Sequence, residues 1–344
     1  ISGVHVFAFD GTEEITQKDG LVIHRIADVL DRVPEIANVQ AALAMRDYAD
    51  ELAACDIFHA YNMGLNSVTG YLAERHNVSS VATLNSYDIL PKAAFGIKPK
   101  PLRRAYEVLA MPTTGRILRS YMRRIDRFIT LSEASASLYR RHGFGDTDFS
   151  VVPNMLDPGF DPPERRSNNK GFQLLYVGSL IPEKGVESLV RALVDLPKDT
   201  YATVVGDGTE SESLRHLASS LGVLDRVKFT GHIPYDHVRD HYATADAFVH
   251  PGIWPEPFGR TILEAMETGL PVLVSNIGGP AEIVDDPLCR FAPGTPSAIV
   301  EAVNRLRDRE DDVGERNRRR VRDRYAPERI TNEMISVYRD VTQT

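Results

Sequence analysis

Cysteine is scarce in this 344-residue sequence, which contains only Cys55 and Cys289. The two lie too far apart to match a zinc or redox spacing, so the sequence disfavours a disulfide scaffold and favours a cytosolic setting. Long apolar runs are also missing, and none approaches the roughly 18 residues of a membrane-spanning helix. No signal-peptide pattern is visible. A strand-like run begins almost at Ile1, so we expect a chain that lacks its own start.

Recognisable cofactor and metal motifs are missing too. The sequence has neither a Gly-x-x-x-x-Gly-Lys-Ser/Thr loop nor a complete Gly-x-Gly-x-x-Gly, which disfavours P-loop and dinucleotide enzymes. No group of His, Cys, Asp or Glu has ligand spacing, so we expect no metal and no cofactor. The net charge of −8 argues against binding of bulk nucleic acid.

Strand-like and helix-like segments alternate along most of the chain, which predicts an α/β fold with mostly parallel strands. Proline, glycine and charged residues cluster at residues 157–170 and indicate a break between two halves. We therefore expect a first domain over residues 1–160, a linker over 161–170, a second domain over 171–324 and a final helix over 325–344. A chain of this length agrees with two domains.

Residues 91–127 interrupt this alternation with a concentration of positive charge. Ten Lys or Arg accompany two acids there, so the segment carries a net +8 and the rest of the chain −16. Aromatic and aliphatic residues are interleaved with the basic ones, a pattern typical of helices that lie on an anionic membrane surface. The alternative is a solvated helix pair whose arginines pair with neighbouring acids.

The stretch with the clearest chemistry is residues 246–285. It predicts a strand, a loop, a helix and a second strand, closed by a turn at Gly278 and Gly279. Ligands of such units bind at the carboxyl end of the strand, where the next helix begins. Glu256 in the loop and Glu264 in the helix flank that place. A helix start that attracts phosphate, beside two carboxylates that bind hydroxyls, favours a nucleotide sugar.

Four loops of the second half follow strand ends and should line one edge of its sheet, at residues 178–185, 206–208, 231–235 and 250–260. In the first of them Lys184 is expected to open a helix, where its ammonium group and the helix amides would meet a diphosphate. The alternative is an exposed lysine at a helix start. Taken alone, the sequence of the second loop, residues 206–208, indicates only a turn.

The two carboxylates also have purely structural alternatives. Glu264 lies within an apolar stretch and needs partners, which ribose hydroxyls or a buried arginine would supply. Glu256 lies between Pro255 and Pro257, which stiffen its loop; its alternative is a solvent-facing acid. We interpret His250, at the end of the strand, as a packing residue rather than a catalyst.

Taken together, these residues resemble the motifs of a known family. The run EPFGRTILEAM, from Glu256 to Met266, resembles the E-x7-E motif of retaining GT-B glycosyltransferases of family GT4. The resemblance implies an α/β fold of GT-B architecture, in which two Rossmann-like domains face each other across a cleft. Further motifs agree in order throughout the second half and more loosely in the first; they lie at residues 177–185, 206–208, 229–231, 245–251, 269–272, 278–282, 58–60, 127–132 and 152–154.

The resemblance also implies roles for individual residues. Glu264 would bind the ribose, Glu256 the hydroxyls of the transferred sugar, and Lys184 the leaving diphosphate without a metal. Arg260 would supply a second cation, because Ser179 stands where the family often has an arginine. We expect the nucleotide sugar to contact Gly178, Ser179, Gly206, Asp207, His232, Phe258, Gly259, Thr261 and Glu264.

Two departures from the family pattern concern the first half. Thr83-Leu84-Asn85 stands where the family has Thr-x-His, so an amide replaces an imidazole near the sugar. The family's first strand and its Gly-Gly loop have no counterpart, since residues 4–9 resemble its second strand. These departures put the acceptor side of the site, rather than the donor side, in question.

We therefore predict a retaining, metal-independent hexosyltransferase that uses a UDP- or GDP-linked sugar and a glycan or lipid-linked acceptor. We expect it in the cytoplasm, peripheral to the inner face of the membrane through residues 91–127. The alternative is a nucleotide-sugar-binding protein of the same fold without transferase activity. The base, the sugar and the acceptor stay open at this stage.

Overall fold

A computed structural model describes residues 3–9, 14–26, 29, 34–61, 63–87, 89–97, 99, 101–166 and 171–343. The described strands are β1 (Val4–Phe9), β2 (Glu14–Lys18), β3 (Leu21–Ile26), β4 (Ile57–Ala60), β5 (Ser79–Leu84), β6 (Arg127–Thr130), β7 (Phe149–Val151), β8 (Phe172–Val177), β9 (Thr200–Val205), β10 (Val227–Gly231), β11 (Ala247–His250), β12 (Val272–Ser275) and β13 (Arg290–Phe291). The α-helices are α1 (Pro34–Ala44), α2 (Ala49–Ala53), α3 (Asn66–His76), α4 (Pro101–Leu109), α5 (Thr114–Met122), α6 (Glu133–Arg141), α7 (Val186–Ala192), α8 (Ser211–Ser220), α9 (Tyr235–Thr244), α10 (Arg260–Glu267), α11 (Gly278–Ile283), α12 (Pro296–Arg307), α13 (Val313–Arg324) and α14 (Pro327–Thr342).

The second half forms one parallel sheet with the strand order β10-β9-β8-β11-β12-β13. Strands β11 and β12, in the middle of the sheet, are buried along their whole length, as expected of strands that are covered on both faces. The chain runs outward from β8 to β10 and then returns to β11 on the other side of β8. The order therefore reverses between β8 and β11, and the loops that follow these two strands meet at the place where open α/β sheets bind ligands.

The first half contains two sheets rather than one. Strands β4 to β7 form a parallel sheet in the order β4-β5-β6-β7, as the alternating pattern predicts. Strands β1, β3 and β2 form a separate sheet, in which β2 pairs antiparallel with β3. Strand β2 and its hairpin were not predicted from the sequence. The signal was the pair Asp19-Gly20, because both residues have positive φ (53° and 81°) in a two-residue turn between paired strands.

Two helices occupy most of the basic segment, α4 and α5. One face of α5 packs closely on α3, since a side chain at Gly70 would overlap the carbonyl oxygen of Tyr121. Helix α4 buries none of its residues. No helix in the described part of the chain is both long and apolar enough to cross a bilayer.

The final helix, α14, lies against the first half rather than the second. Its Ile330, Val337 and Val341 share a buried cluster with Val81 of β5 and Ile129 of β6. A backbone hydrogen bond also joins the two halves just before α14 begins: Leu156 N donates to Tyr325 O (3.0 Å). The two halves are therefore held together on the side of the cleft where the chain crosses back.

Two local expectations for the second half are wrong. Gly278 and Gly279 form the first turn of α11 rather than a turn between elements, because that backbone must lie directly on residues 255–257. Lys184 ends a short 3-10 turn, and α7 begins two residues later at Val186. At the start of α6, the Ser132 hydroxyl accepts a hydrogen bond from Ser135 N (3.3 Å) and so caps the helix.

Candidate active site

Lys184 and Glu256 meet where the loops after β8 and β11 come together. Lys184 Nζ lies 2.6 Å from Glu256 Oε1, and both side chains are mostly buried. The backbones touch as well, since Ile253 N donates to Glu183 O at 3.0 Å. Gly185 permits this approach: its φ is +65°, and a Cβ there would overlap the carbonyl oxygen of Pro251. These two charges therefore lie in one loop cluster, as predicted from the strands that precede their loops.

His250, at the end of β11, completes this charge cluster. It is buried, and its Nε2 lies 3.0 Å from Glu256 Oε2 without the alignment of a hydrogen bond. Burial alone would raise the pKa of Glu256, but the charge and contact of His250 and the Lys184 ammonium outweigh it and lower that pKa to about 2. His250 therefore contacts the central carboxylate, which its prediction as a packing residue did not include.

Glu264 has partners that the sequence analysis did not anticipate. It is 7% exposed, and its two oxygens accept hydrogen bonds from Tyr235 Oη (3.0 Å) and Tyr242 Oη (2.8 Å). Burial raises the pKa of Glu264, and the two tyrosine hydroxyls oppose this only in part. The buried arginine pair that we considered is not formed, because two hydroxyls of α9 satisfy the carboxylate instead.

A cavity of about 580 Å³ separates the two halves next to Glu264. Thr261, Arg260 and Tyr235 share its wall with Glu264, and Thr83 and Tyr61 of the first half lie opposite. Lys184 and Glu256 are not among its lining residues. The remaining lining residues are mostly apolar: Leu131, Val152, Pro153, Asn154, Met155, Leu156, Asp157, Val177, Val238, Ile330 and Met334.

The loops after β8 and β9 pack backbone against backbone. Leu180 N donates to Asp207 O (2.9 Å), and a side chain at Gly206 would overlap the carbonyl oxygen of Gly178. Asp207 is exposed and turns back on its own loop, where it accepts from Gly208 N (2.7 Å) and from the Ser211 hydroxyl. These two hydrogen bonds, followed by the charge of His232, lower the pKa of Asp207.

The other residues expected to contact the nucleotide sugar are distributed around this edge. Ser179 and His232 are exposed at the ends of β8 and β10. Gly259 caps the start of α10, and Arg260 is exposed in its first turn. Phe258 is buried and packs edge-on against Tyr325 (5.8 Å between ring centroids), so its side chain belongs to the core and only its backbone is available to a ligand.

The first half contributes polar groups at its strand ends. Thr83 Oγ1 lies 2.8 Å from His59 Nε2, and His59 Nδ1 lies 2.6 Å from Tyr338 Oη on α14. Burial lowers the pKa of His59 to about 4, so its ring is neutral at pH 7. Asn85 is exposed and donates to Tyr61 O (3.2 Å). Across the described residues, no group of three or more His, Cys, Asp or Glu side chains is placed to hold a metal ion.

Two family models match consecutive parts of the chain. Residues 3–160 match the model described as Glycosyltransferase Family 4, and residues 159–328 match Glycosyl transferases group 1. Among solved structures, the chain resembles sucrose-phosphate synthase from Thermosynechococcus elongatus, with a TM-score of 0.75 and 20% identity over 98% of this chain and 88% of that one. It also resembles Anabaena HepE in complex with UDP, with a TM-score of 0.74 and 19% identity over 98% of this chain and 100% of that one.

These similarities confirm the predicted architecture, which is the GT-B fold of glycosyltransferases. The chain belongs to glycosyltransferase family 4, the group 1 glycosyltransferases.

Curated relatives match over shorter stretches. The GDP-mannose-dependent alpha-(1-6)-phosphatidylinositol monomannoside mannosyltransferase of Mycolicibacterium smegmatis is 32% identical over 192 residues, which cover 53% of this chain and 44% of that protein. Glycogen synthase of Mycobacterium tuberculosis is 35% identical over 168 residues, which cover 47% of this chain and 40% of that protein. In both comparisons the matched part of this chain spans less than half the length of the relative.

Proposed function

We propose that this chain transfers a sugar from a nucleotide diphosphate to an acceptor, with retention of anomeric configuration and without a metal. The observation that carries the proposal is the Lys184–Glu256 contact at the point where the strand order of the second sheet reverses. The cavity beside Glu264 opens at the same edge. One cation and two carboxylates there match a diphosphate that lies between two hydroxyl-rich groups.

Glu256 accepts hydrogen bonds in this proposal and does not act as an acid. Its pKa of about 2 keeps it ionised at neutral pH, so it has no proton to give to a leaving group. Its Oε2 is buried and accepts no aligned hydrogen bond from the described residues, which leaves lone pairs for sugar hydroxyls. The rigid loop between Pro255 and Pro257 holds the carboxylate in place before the sugar arrives.

Lys184 links this carboxylate to the diphosphate. An ammonium group has three donors, so Nζ contacts Glu256 with one and phosphate oxygens with the others. Charge that develops on the leaving diphosphate is then met by a cation that is already fixed in place. The departing phosphate oxygen takes the proton of the acceptor hydroxyl, so attack and departure share one face of the sugar and the configuration is retained.

Glu264 binds the ribose in this proposal. Each of its oxygens already accepts one tyrosine hydroxyl, and the second lone pair of each is left for a ribose hydroxyl. Arg260 lies on the same cavity wall, and its side chain is exposed. It supplies the second cation in place of the arginine that the family often has at the position of Ser179.

The first test is nucleotide binding followed by turnover. Titration calorimetry should detect binding of UDP or GDP, and the matching sugar donor should be consumed when a glycan or lipid-linked acceptor is present. Lys184→Ala should weaken diphosphate binding by about ten-fold to a hundred-fold, since a hydrogen bond to a charged group is worth about 1.5–3 kcal/mol. The same change should leave binding of the bare nucleoside unaltered.

The matched control is Lys198→Ala, because Lys198 is an exposed lysine of the same half that lies just before β9, at the edge of the sheet opposite the loop cluster. Nucleotide binding without turnover of any donor would indicate a nucleotide-sugar-binding protein and would contradict the transferase proposal. Equal losses of diphosphate and nucleoside affinity in Lys184→Ala would contradict the role given to Lys184.

We propose a lipid-linked or polymeric glycan as the acceptor. One similar protein is named as a phosphatidylinositol monomannoside mannosyltransferase and another as a glycogen synthase. We further propose that the enzyme works in the cytoplasm at the inner face of an anionic membrane, because α4 and α5 present a surface suited to it.

The membrane proposal rests on exposed apolar and basic side chains. On α4, Leu102, Val108 and Leu109 are 88%, 64% and 75% exposed, and Ile117 on α5 is 59% exposed. Leu102 and Leu109 are seven residues apart and so lie on one helical face. This apolar face points away from the protein and is suited to insertion among lipid headgroups.

The basic side chains support the same surface. Arg104 and Arg116 are exposed and have no acidic partner among the described residues. Burial, and then the charges of Arg123 and Arg116, lower the pKa of Arg119, so like charges crowd on α5. Arg103, Arg124 and Arg127 do pair with acids, as the solvated-helix alternative requires, but that alternative does not account for Arg104 and Arg116 beside an exposed apolar face.

We expect wild-type protein to sediment with vesicles that contain anionic phospholipid and not with neutral ones. Replacing Arg104 and Arg116 by glutamine should lower the partition coefficient about thirty-fold, since each arginine near an anionic surface contributes about 1 kcal/mol. Replacing Leu102 and Leu109 by serine should also lower it. The control replaces Arg319 and Arg324, two exposed arginines of α13, by glutamine. Equal sedimentation of the Arg104/Arg116 double variant and this control would rule out the α4–α5 surface.

A further inference from the structure

A carboxylate of the second half lies at the start of a helix of the first half. Glu282, on α11, accepts hydrogen bonds from Ala134 N (2.6 Å) and Glu133 N (3.0 Å) of α6. The first amides of a helix have no partner within the helix, and the helix dipole favours a negative charge there. Each oxygen of Glu282 thus binds one of these amides. This contact is available only while the two halves lie close together.

The helix that carries Glu282 also supports the loop that carries Glu256. Gly279 N donates to the backbone oxygen of Glu256 at 2.8 Å. Side chains at Gly278 or Gly279 would overlap the backbone of Pro255 or Pro257, so α11 lies directly on this loop. A movement of α11 is therefore transmitted to the backbone of Glu256 without any intervening side chain.

The far end of α11 is held as well. Arg320, on α13, donates to Ile283 O (2.7 Å) and Glu282 O (3.0 Å), where α11 ends. Helix α11 is therefore fixed to its own half at one end and to α6 through the side chain of Glu282. It connects the cleft to Glu256 as a short, rigid element.

The first half contacts the same loop at two further points. Ser132, the cap of α6, donates its hydroxyl to Pro257 O at 2.8 Å. Trp254 packs edge-on against Tyr87 and Phe95, with ring centroids 5.7 and 6.3 Å apart. Residues 254–257 are thus held on both sides of Glu256 by groups that belong to the first half.

We propose that Glu282 is a positioning residue that couples closure of the cleft to the placement of Glu256. In the closed state its carboxylate binds the α6 amides. Helix α11 then holds the Glu256 backbone at the position from which the Glu256 carboxylate reaches the donor sugar. In the open state that carboxylate returns to water, and the loop loses its supports from the first half. The proposal rests on the proposed function for the role of Glu256, but the Glu282–α6 contact itself does not.

The test separates binding from turnover. Glu282→Ala should lower kcat on the order of ten-fold to a hundred-fold, because displacement of a catalytic group by about 1 Å has effects of this size. KM for the donor and the calorimetric affinity for UDP or GDP should stay near wild type, since Lys184 and Glu264 belong to the second half alone. The kcat of Glu282→Gln, which keeps one acceptor oxygen, should lie between that of wild type and that of Glu282→Ala. Glu301→Ala, at an exposed glutamate of α12 that pairs within its own helix, is the control.

Small-angle X-ray scattering gives a readout that does not need activity. With UDP present, Glu282→Ala should have a larger radius of gyration than wild type and than Glu301→Ala, because fewer molecules are closed. A scattering curve and a kcat equal to those of wild type would overturn the proposal. An equal loss of UDP affinity and kcat, with a lower melting temperature, would overturn it too, because it would show a structural role only. If the wild type itself binds no nucleotide and turns over no donor, the proposed function fails. The radius of gyration of Glu282→Ala compared with wild type, both without ligand, then still tests the Glu282–α6 contact.

Discussion

Replacing Glu256 by glutamine should lower kcat about 10²-fold to 10³-fold, the range seen when one preorganised electrostatic group is removed from an active site. The carboxylate is the common partner of Lys184 (2.6 Å) and His250 (3.0 Å). A neutral amide removes the negative charge opposite the Lys184 ammonium group in a mostly buried place, where charges are less screened than in water. Steady-state kinetics with a saturating donor would measure the change. UDP affinity should fall much less than kcat, because the proposed function assigns Glu256 to the transferred sugar rather than to the nucleotide.

Glu187→Gln is the matched control for that substitution. Glu187 is an exposed glutamate of α7, three residues beyond Lys184, and it pairs with Arg191 on the same helix. It should retain wild-type kcat. A Glu256→Gln enzyme within about three-fold of wild type would contradict the assignment, since even a single uncharged donor usually contributes more.

The meeting of Lys184 and Glu256 was predictable because it depends only on topology. Strands β8 and β11 are short apolar runs that are easily recognised, and loops after adjacent parallel strands must share an edge. The E-x7-E spacing then placed one carboxylate in the loop and the other in α10. These features follow from local patterns together with one rule about where parallel strands end.

The partners of Glu264 were not predictable in the same way. Tyr235 and Tyr242 precede it by 29 and 22 residues, and nothing in their spacing shows which face of α9 points toward α10. Burial of Glu264 was evident from its apolar neighbours, but the identity of the group that satisfies it depends on helix packing. Hydroxyl partners differ from an arginine in a way that matters, because they leave the carboxylate with a raised pKa.

The Gly278-Gly279 pair was misread for a related reason. Two adjacent glycines disfavour a helix by local propensity, so a turn was the natural expectation. The structure overrides that propensity because α11 must lie on the backbone of residues 255–257, where a Cβ does not fit. The contacts of Glu282 and Ser132 between the halves were equally hidden, since they depend on how the two halves face each other.

The second large effect concerns Glu264 and the nucleotide. Glu264→Gln should weaken UDP or GDP binding about ten-fold to a hundred-fold, because hydrogen bonds to a charged group are worth about 1.5–3 kcal/mol. Loss of kcat at saturating donor should be smaller, since the proposed ribose contact would be made in both the ground state and the transition state. Calorimetry at neutral pH would measure the affinity. Glu301→Gln, on the exposed face of α12, is a control with the same chemical change.

The pH dependence of binding gives a sharper test of Glu264. In the proposed function, ribose hydroxyls donate to the ionised carboxylate, so binding should favour the deprotonated form. Because burial raises the pKa of Glu264 above its ordinary value of 4.5, affinity should fall as the pH decreases through a value higher than 4.5. The ratio of wild-type to Glu264→Gln affinity removes the ionisation of UDP itself, since both proteins bind the same ligand. That ratio should decline toward acid pH. A ratio that stays flat from neutral pH down to pH 4.5 would mean that the ribose does not bind this carboxylate, even if the substitution weakens binding.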